Sequence, residues 1–238
     1  MDRLTIIIKG YSKTELELNS DREFVKKYLT FLTSNVGGAW DLEEEIIVLE
    51  DPTIEILGQI VEDLTPDFVL LIMIGHGATQ GDRQLFQINA STIIQAGQLA
   101  LDVHKQLVIL ESCRTHTNGK IKTVDLNDRI PQFRNGGLVR SPRTKEDARN
   151  LYISVINECP NGLVICYPCN DNELASGYYF SFALLRRSFE WHLLNHTRYF
   201  PITQLMEFVS MDVYKISKGK QTPVISGNIG FPFAISKF

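Results

Sequence analysis

A chain of 238 residues, 44% of them hydrophobic, is long enough to bury the core of one α/β domain or two small ones, and a single domain over 1–238 is expected. Its formal charge of -4 and sequence pI near 5.8 leave no basic footprint for nucleic acid and no general attraction to an anionic membrane surface. The apolar run in MDRLTIIIKGYSK is too short for a signal h-region and no stretch approaches a membrane span. The cysteines Cys113, Cys159, Cys166 and Cys169 therefore read as thiols of an intracellular, cytoplasmic protein. In that setting the sequons at Asn89 and Asn195 carry no weight.

LTIIIKGY (4–11) is short, β-branched and ended by glycine, which predicts a first buried strand. Ser20 with Glu23 makes a capping box before a helix whose Phe24, Tyr28, Leu29 and Leu32 share one face, and Gly37-Gly38 ends it. EEIIVLE (44–50) is the next strand. Asp51-Pro52 offers an N-cap and a first-turn proline to a helix that is apolar at Ile56, Leu57, Ile60, Val61 and Leu64. DFVLLIMIG is a third strand, STIIQAGQLALDVHK a third helix, and QLVILES a fourth strand ending at Cys113. The alternation of strand and helix, with strands apolar on both faces, predicts an α/β fold: a mostly parallel sheet covered by helices on both faces.

The texture changes after Cys113. Residues 115–147 are polar, rich in Gly, Pro, Asn, Lys and Arg, and lack sustained periodicity, which predicts a long loop suited to mobility, cleavage or function. Seven basic residues in it (Lys120, Lys122, Arg129, Arg134, Arg140, Arg143 and Lys145) would suit self-cleavage by a peptidase that prefers basic residues. A solvated loop that is never cut is the plain alternative, and an activating ligand or partner protein that orders the loop is a third route. Order returns with a helix through ARNLYISVINE, a fifth strand at GLVICYP, helices through LASGYYFSFALLRRSFEWHLLN and ITQLMEFVSMDVYKIS, and a terminal edge strand.

In an open parallel sheet, ligands and chemistry gather at the carboxyl ends of the strands. His76, between Gly75 and Gly77, ends the third strand, and Cys113 ends the fourth. Adjacent strands run about 4.8 Å apart, so the two side chains can reach one substrate bond. A thiolate is the nucleophile and imidazole takes its proton, later returning one to a leaving amine. Gly77 admits a close approach of substrate and can turn its N–H outward, so that with the Cys113 N–H it can bind a developing oxyanion. Taken singly, a His-Gly at a strand end is more often a turn and a lone cysteine more often a small core residue; their joint placement is what favours chemistry.

The element order, Gly75-His76-Gly77, and Glu111-Ser112-Cys113-Arg114 together resemble the caspase-like cysteine peptidases, metacaspase-type and prokaryotic. The resemblance continues through CYPCNDNELASGYYFSFALL and the terminal QTPVISGNIGFPFAI. It implies a caspase-like three-layer sandwich with a large-subunit-like part (1–114), a flexible loop (115–147) and a small-subunit-like part (148–238). It further implies hydrolysis of protein or peptide substrates with Cys113 as nucleophile and His76 as base and acid, in cell death or antiviral defence. Caspases carry glutamine two residues before the cysteine and select aspartate; metacaspase-like members carry an acid there and select arginine or lysine. Glu111 therefore implies a basic specificity by charge-assisted hydrogen bonding, with Asp171 or Glu173 as a second pocket carboxylate and Asp21 as a third; the plain alternative for Glu111 is a strand-end residue paired to a neighbouring Lys or Arg. Arg114 departs from the histidine that often follows the cysteine in metacaspases.

No cofactor is expected. Some members need calcium, but the acids here show no EF-hand spacing, so calcium is left open. Cys166-x-x-Cys169 has redox or half-zinc spacing without a second pair and reads as pocket wall or core. His116 falls in the loop, and His104, His192 and His196 fall in helical stretches. Two rival functions stand beside the peptidase: a catalytically idle scaffold or regulatory domain of the same fold, and a nucleotide-binding receptor domain. The latter lacks any GxGxxG or GxxxxGK[ST].

Overall fold

The computed structural model describes residues 2–80, 83–112, 143–171, 173–175, 178–194 and 197–238. In chain order the elements are β1 (Arg3–Lys9), α1 (Glu15–Leu32), β2 (Ile46–Glu50), α2 (Ile54–Leu64), β3 (Phe68–Ile74), β4 (Gly77–Gln80), β5 (Arg83–Gln87) and β6 (Ile93–Gln95). A short 3-10 helix (Ala96–Leu99), β7 (Lys105–Glu111), α3 (Lys145–Glu158), β8 (Gly162–Tyr167), α4 (Tyr179–Leu194), β9 (Tyr199–Pro201), α5 (Ile202–Ile216), β10 (Val224–Ser226) and β11 (Pro232–Ile235) complete them. Cys113, Arg114, His116 and the rest of the loop as far as 142 lie outside the described residues, as do Asn195 and His196.

The central sheet has six strands in the order β10-β8-β7-β3-β1-β2. Every neighbouring pair is parallel except β10, which runs antiparallel to β8 at the edge. Strands apolar along their whole length must be covered on both faces, and the period of two divides them cleanly. Ile7, Leu70, Ile72, Leu107, Ile109 and Val164 face a core completed by α1, α3, α4 and α5. Leu4, Ile6, Ile8, Val69, Leu71, Met73, Val108 and Leu110 face the other way, onto Phe86, Ile94 and Leu99, with Ile54 and Ile60 of α2 packed against them. The layers are therefore unequal: four helices on one face, and on the other one helix beside the three-stranded antiparallel sheet β4-β5-β6.

Several local expectations are corrected. The capping box of α1 is Thr14 with Glu17, not Ser20 with Glu23: Glu17 N–H donates to Thr14 Oγ1 (3.2 Å) and Thr14 N–H to Glu17 Oε2 (3.2 Å). The helix runs straight through Ser20 and ends at Leu32, short of the two glycines. Asp51 does not cap α2. Its backbone takes φ 47°, and its carboxylate receives the buried Lys9 ammonium at 3.4 Å. Ile56 and Leu64 of α2 are exposed. The third helix is absent: Ile93 points to solvent and Ile94 into the core, the alternation of a strand, and a single 3-10 turn follows. The terminal segment forms two strands in two sheets, β10 on β8 and β11 on β9.

Candidate active site

In-register pairing sets Lys9, Ile74 and Glu111 side by side at the carboxyl ends of β1, β3 and β7. One residue further, Gly75 takes φ 151° and its N–H donates to the Glu111 carbonyl at 3.2 Å. A side chain there would also meet the backbone of Gly10, whose own Cβ would fall 2.5 Å from the Gln87 carbonyl oxygen. The two glycines thus let three chain segments converge where the strands end. His76 follows, and the chain leaves into β4.

Gln87 N–H donates to the His76 carbonyl (3.0 Å), and Gly77 pairs with Phe86 in register. Hydrogen-bonded and non-hydrogen-bonded pairs alternate along an antiparallel ladder, so Gly77 belongs to a non-hydrogen-bonded pair and turns its N–H away from β5. The His76 ring lies against α1, where Nε2 and Glu17 Oε2 are 3.3 Å apart and both side chains are about one-fifth exposed (19% and 21%). Burial pushes the Glu17 carboxyl up. The Lys13 N–H (2.8 Å), the His76 ring and the Thr14 N–H outweigh it and hold the carboxyl below its ordinary value.

One turn along α1 from Glu17, on the same helix face, Asp21 is buried. It accepts from the Ser12 hydroxyl (2.6 Å) and from the Tyr178 hydroxyl, and the Tyr178 ring stacks on Phe24 at 4.0 Å. Burial raises its pKa; the two hydroxyls, and the charges of His76 and Lys9, only partly offset that. Glu111 is buried as well. Its Oε2 accepts the Ser181 N–H (2.9 Å) and the Ser181 hydroxyl, which is itself 2.7 Å from the Tyr28 hydroxyl. Ser181 sits in the first turn of α4, where backbone N–H groups lack partners within the helix and favour an anion. Burial nonetheless pushes the Glu111 carboxyl up to about 7, against the Ser181 hydroxyl and N–H and with help from the Asp21 charge.

The structure therefore brings His76, Asp21 and Glu111 to one end of the sheet. It places the other two predicted pocket acids differently. Glu173 binds the Thr222 N–H (2.6 Å), the Thr222 hydroxyl (3.0 Å) and the Asn170 N–H (3.0 Å), tying the turn after β8 to the segment before β10. Asp171 is exposed on that turn. Cys113, two residues past Glu111 in the sequence, lies outside the described residues. The described cysteines offer no rival nucleophile: Cys166 and Cys169 are buried, and burial raises the thiols of Cys159 and Cys166, so neither is poised as a thiolate. Among the described residues no group of three or more His, Cys, Asp or Glu side chains is disposed to hold a metal ion, and no helix is long and apolar enough to cross a membrane.

Glu17, Ser181 and Tyr178 belong to this site and were not singled out for it from the sequence. Glu17 had a visible signal, since Thr14-x-x-Glu17 matches the capping box as well as the Ser20 pattern does; Tyr178 falls within the stretch LASGYYFSFALLRRSFEWHLLN, expected as helix.

No protein-family model matches the chain, and no curated protein matches it in sequence. Solved structures do match. Caspase-1 from Spodoptera frugiperda superposes with a TM-score of 0.53 at 14% identity, over 95% of this chain and 86% of that one. The Drosophila initiator caspase Dronc superposes with a TM-score of 0.53 at 9% identity, over 97% of this chain and 80% of that one. The six-stranded, mostly parallel sheet, its helices and its strand order build a caspase-like fold.

Proposed function

We propose that the protein is a cysteine endopeptidase that cleaves peptide bonds after arginine or lysine. The carrying observation is the convergence of His76 with two buried acids, Asp21 and Glu111, that have no arginine partner among the described residues, at the strand ends of this fold. In this reading the Cys113 thiolate attacks the scissile carbonyl carbon, after His76 has taken the thiol proton. The oxyanion is held by the Gly77 and Cys113 N–H groups. His76 returns the proton to the departing amine, leaving a thioester, and then takes a proton from the water that hydrolyses it. A substrate guanidinium or ammonium would be drawn to Asp21 and Glu111, with Asp171 at the rim, while Glu173 keeps the neighbouring loops together. The large-subunit-like part to 114 and the small-subunit-like part, whose first helix takes in Lys145–Asp147 of the expected loop, would form one catalytic unit, regulated in the setting of cell death or antiviral defence that the family resemblance suggests.

The test is to incubate wild-type, Cys113→Ala and His76→Ala proteins with a peptide library and read the cleaved bonds by mass spectrometry. Each substitution is expected to abolish cleavage at unchanged circular dichroism, and the two losses should not add, because each removes half of one proton-transfer unit. Turnover near wild type in either variant would overturn the dyad, absence of cleavage by the wild type would favour the idle-scaffold reading, and a preference for aspartate would overturn the basic specificity.

A further inference from the structure

On the reading of His76 as general base given above, we infer that Glu17 is a positioning residue: it fixes the His76 ring and decides which of its nitrogens carries the proton. An ionised carboxylate only accepts hydrogen bonds. The nitrogen 3.3 Å from Glu17 Oε2 is Nε2, so in the neutral ring Nε2 bears the hydrogen and Nδ1 presents the lone pair. Nδ1 is then the atom that takes a proton, and the imidazolium that forms is stabilised by the carboxylate behind it, as in other base-and-orienter pairs.

Two backbone N–H groups make Glu17 a fixed support. The same Oε2 accepts the Lys13 N–H at 2.8 Å and the Thr14 N–H at 3.2 Å, while the Glu17 N–H donates to Thr14 Oγ1 at 3.2 Å. The carboxylate is thereby held by the two backbone N–H groups just ahead of α1 before it meets the imidazole. The limited exposure of both side chains keeps the pair from full solvent screening.

Glu17→Gln separates the positioning role from the cap, because glutamine also closes a capping box but brings no charge. The expected result is a kcat for arginine peptides lower by about ten- to hundredfold, with KM within about twofold of wild type. Alkylation of Cys113 by iodoacetamide, followed by mass spectrometry, should slow in parallel, while the thermal midpoint stays at its wild-type value. Thr14→Ala supplies the complementary variant: it weakens the cap without touching the carboxylate, and is expected to lower the thermal midpoint while leaving kcat near wild type. If Glu17→Gln retains wild-type kcat and alkylation rate while His76→Ala is inactive, Glu17 has no positioning role and the dyad survives. If Thr14→Ala reproduces the kcat loss, the cap alone is responsible and the inference falls. If His76→Ala itself turns over and alkylates at wild-type rates, it is the general-base reading that fails.

Discussion

Among the described residues four carboxylates are buried, and they fall into two kinds. Glu45, between α1 and β2, is held by two arginines: Arg3 reaches it at 2.9 and 3.1 Å and Arg149 at 2.8 and 2.9 Å. Asp212, on α5, is likewise held by Arg187 at 2.6 Å through two nitrogens and by Arg186 at 2.8 Å. Asp21 and Glu111, at the strand ends, have hydroxyls and a backbone N–H instead. The cost of burial is met differently at Asp212 than at Asp21 and Glu111. Burial would raise Asp212, but its two arginines reverse that and leave it below its ordinary value; Asp21 and Glu111 end above theirs. A buried acid without a matching cation lowers stability, and such groups persist where a site needs them. Among the described residues neither Asp21 nor Glu111 has an arginine partner, and the proposed basic specificity rests on that difference.

The comparison breaks most visibly at Glu45. Glu45→Gln removes the only carboxylate that holds Arg3 among the described residues; the Arg3 side chain is 1% exposed and stacks over Trp40 at 4.1 Å. An uncompensated buried cation costs about 3–5 kcal/mol, so urea unfolding should show a loss of that size with no change in the cleavage profile. A shift in specificity, or a loss under about 1 kcal/mol on the scale of an exposed pair, would show that the two kinds of acid are not distinct.

Glu111→Gln should act in the opposite direction on stability. The folded carboxyl titrates at about 7 against 4.5 for an ordinary glutamate. Burial thus favours its neutral form, and its contribution to stability is greatest below 4.5, falls as pH rises from 4.5 to 7, and is lost above that. The gap corresponds to on the order of 3 kcal/mol. Relative to wild type, Glu111→Gln should therefore gain stability between pH 5 and pH 8, measured by denaturant midpoints, since its amide can still accept from Ser181. Arginine peptides should at the same time lose about ten- to hundredfold in kcat/KM, the worth of one charged hydrogen bond. Parallel pH curves for the two proteins would remove Glu111 from the class of destabilised acids.

Sequence pattern reached the parallel sheet and put His76 and Glu111 at strand ends, because strand ends in an α/β sheet can be located from apolar runs and their stops; Asp21, on α1, entered only through the family resemblance. It failed where two local patterns competed. STIIQAGQLALDVHK contains helix-compatible spacing, yet the β-branched Ile93-Ile94 pair docks on β5 as a strand and only the 3-10 turn remains of the helix. Two capping boxes overlapped in TELELNSDRE, and the earlier one won because α1 buries Asp21 and Phe24 on the face it extends. Asp171 and Glu173 follow β8 in the sequence, but proximity along the chain says nothing of direction, and Glu173 turns toward Thr222. Tyr178 combines packing on Phe24 with a bond to Asp21, and nothing in the aromatic run that holds it marks the second role.

The smallest expected effect tests the other side of the comparison. Asp212→Asn leaves Arg186 and Arg187 without their carboxylate, but these side chains are 27% and 31% exposed and water can take up part of their charge. Discounted for that screening, the loss at neutral pH should be about 1 kcal/mol, well below that at Glu45. Its pH dependence has a definite sign. Because Arg187 and Arg186 hold the folded carboxyl below the 3.8 of an ordinary aspartate, its stabilising contribution is present above 3.8 and disappears as pH falls through the lower folded value. The difference between wild type and Asp212→Asn should therefore be constant from pH 8 to 5 and close only in strong acid, whereas the Glu111→Gln difference changes between 5 and 8. Denaturant titrations of both variants over one pH series check this. If the Asp212 difference also moves between 5 and 8, arginine pairing does not account for the division between the two kinds of acid.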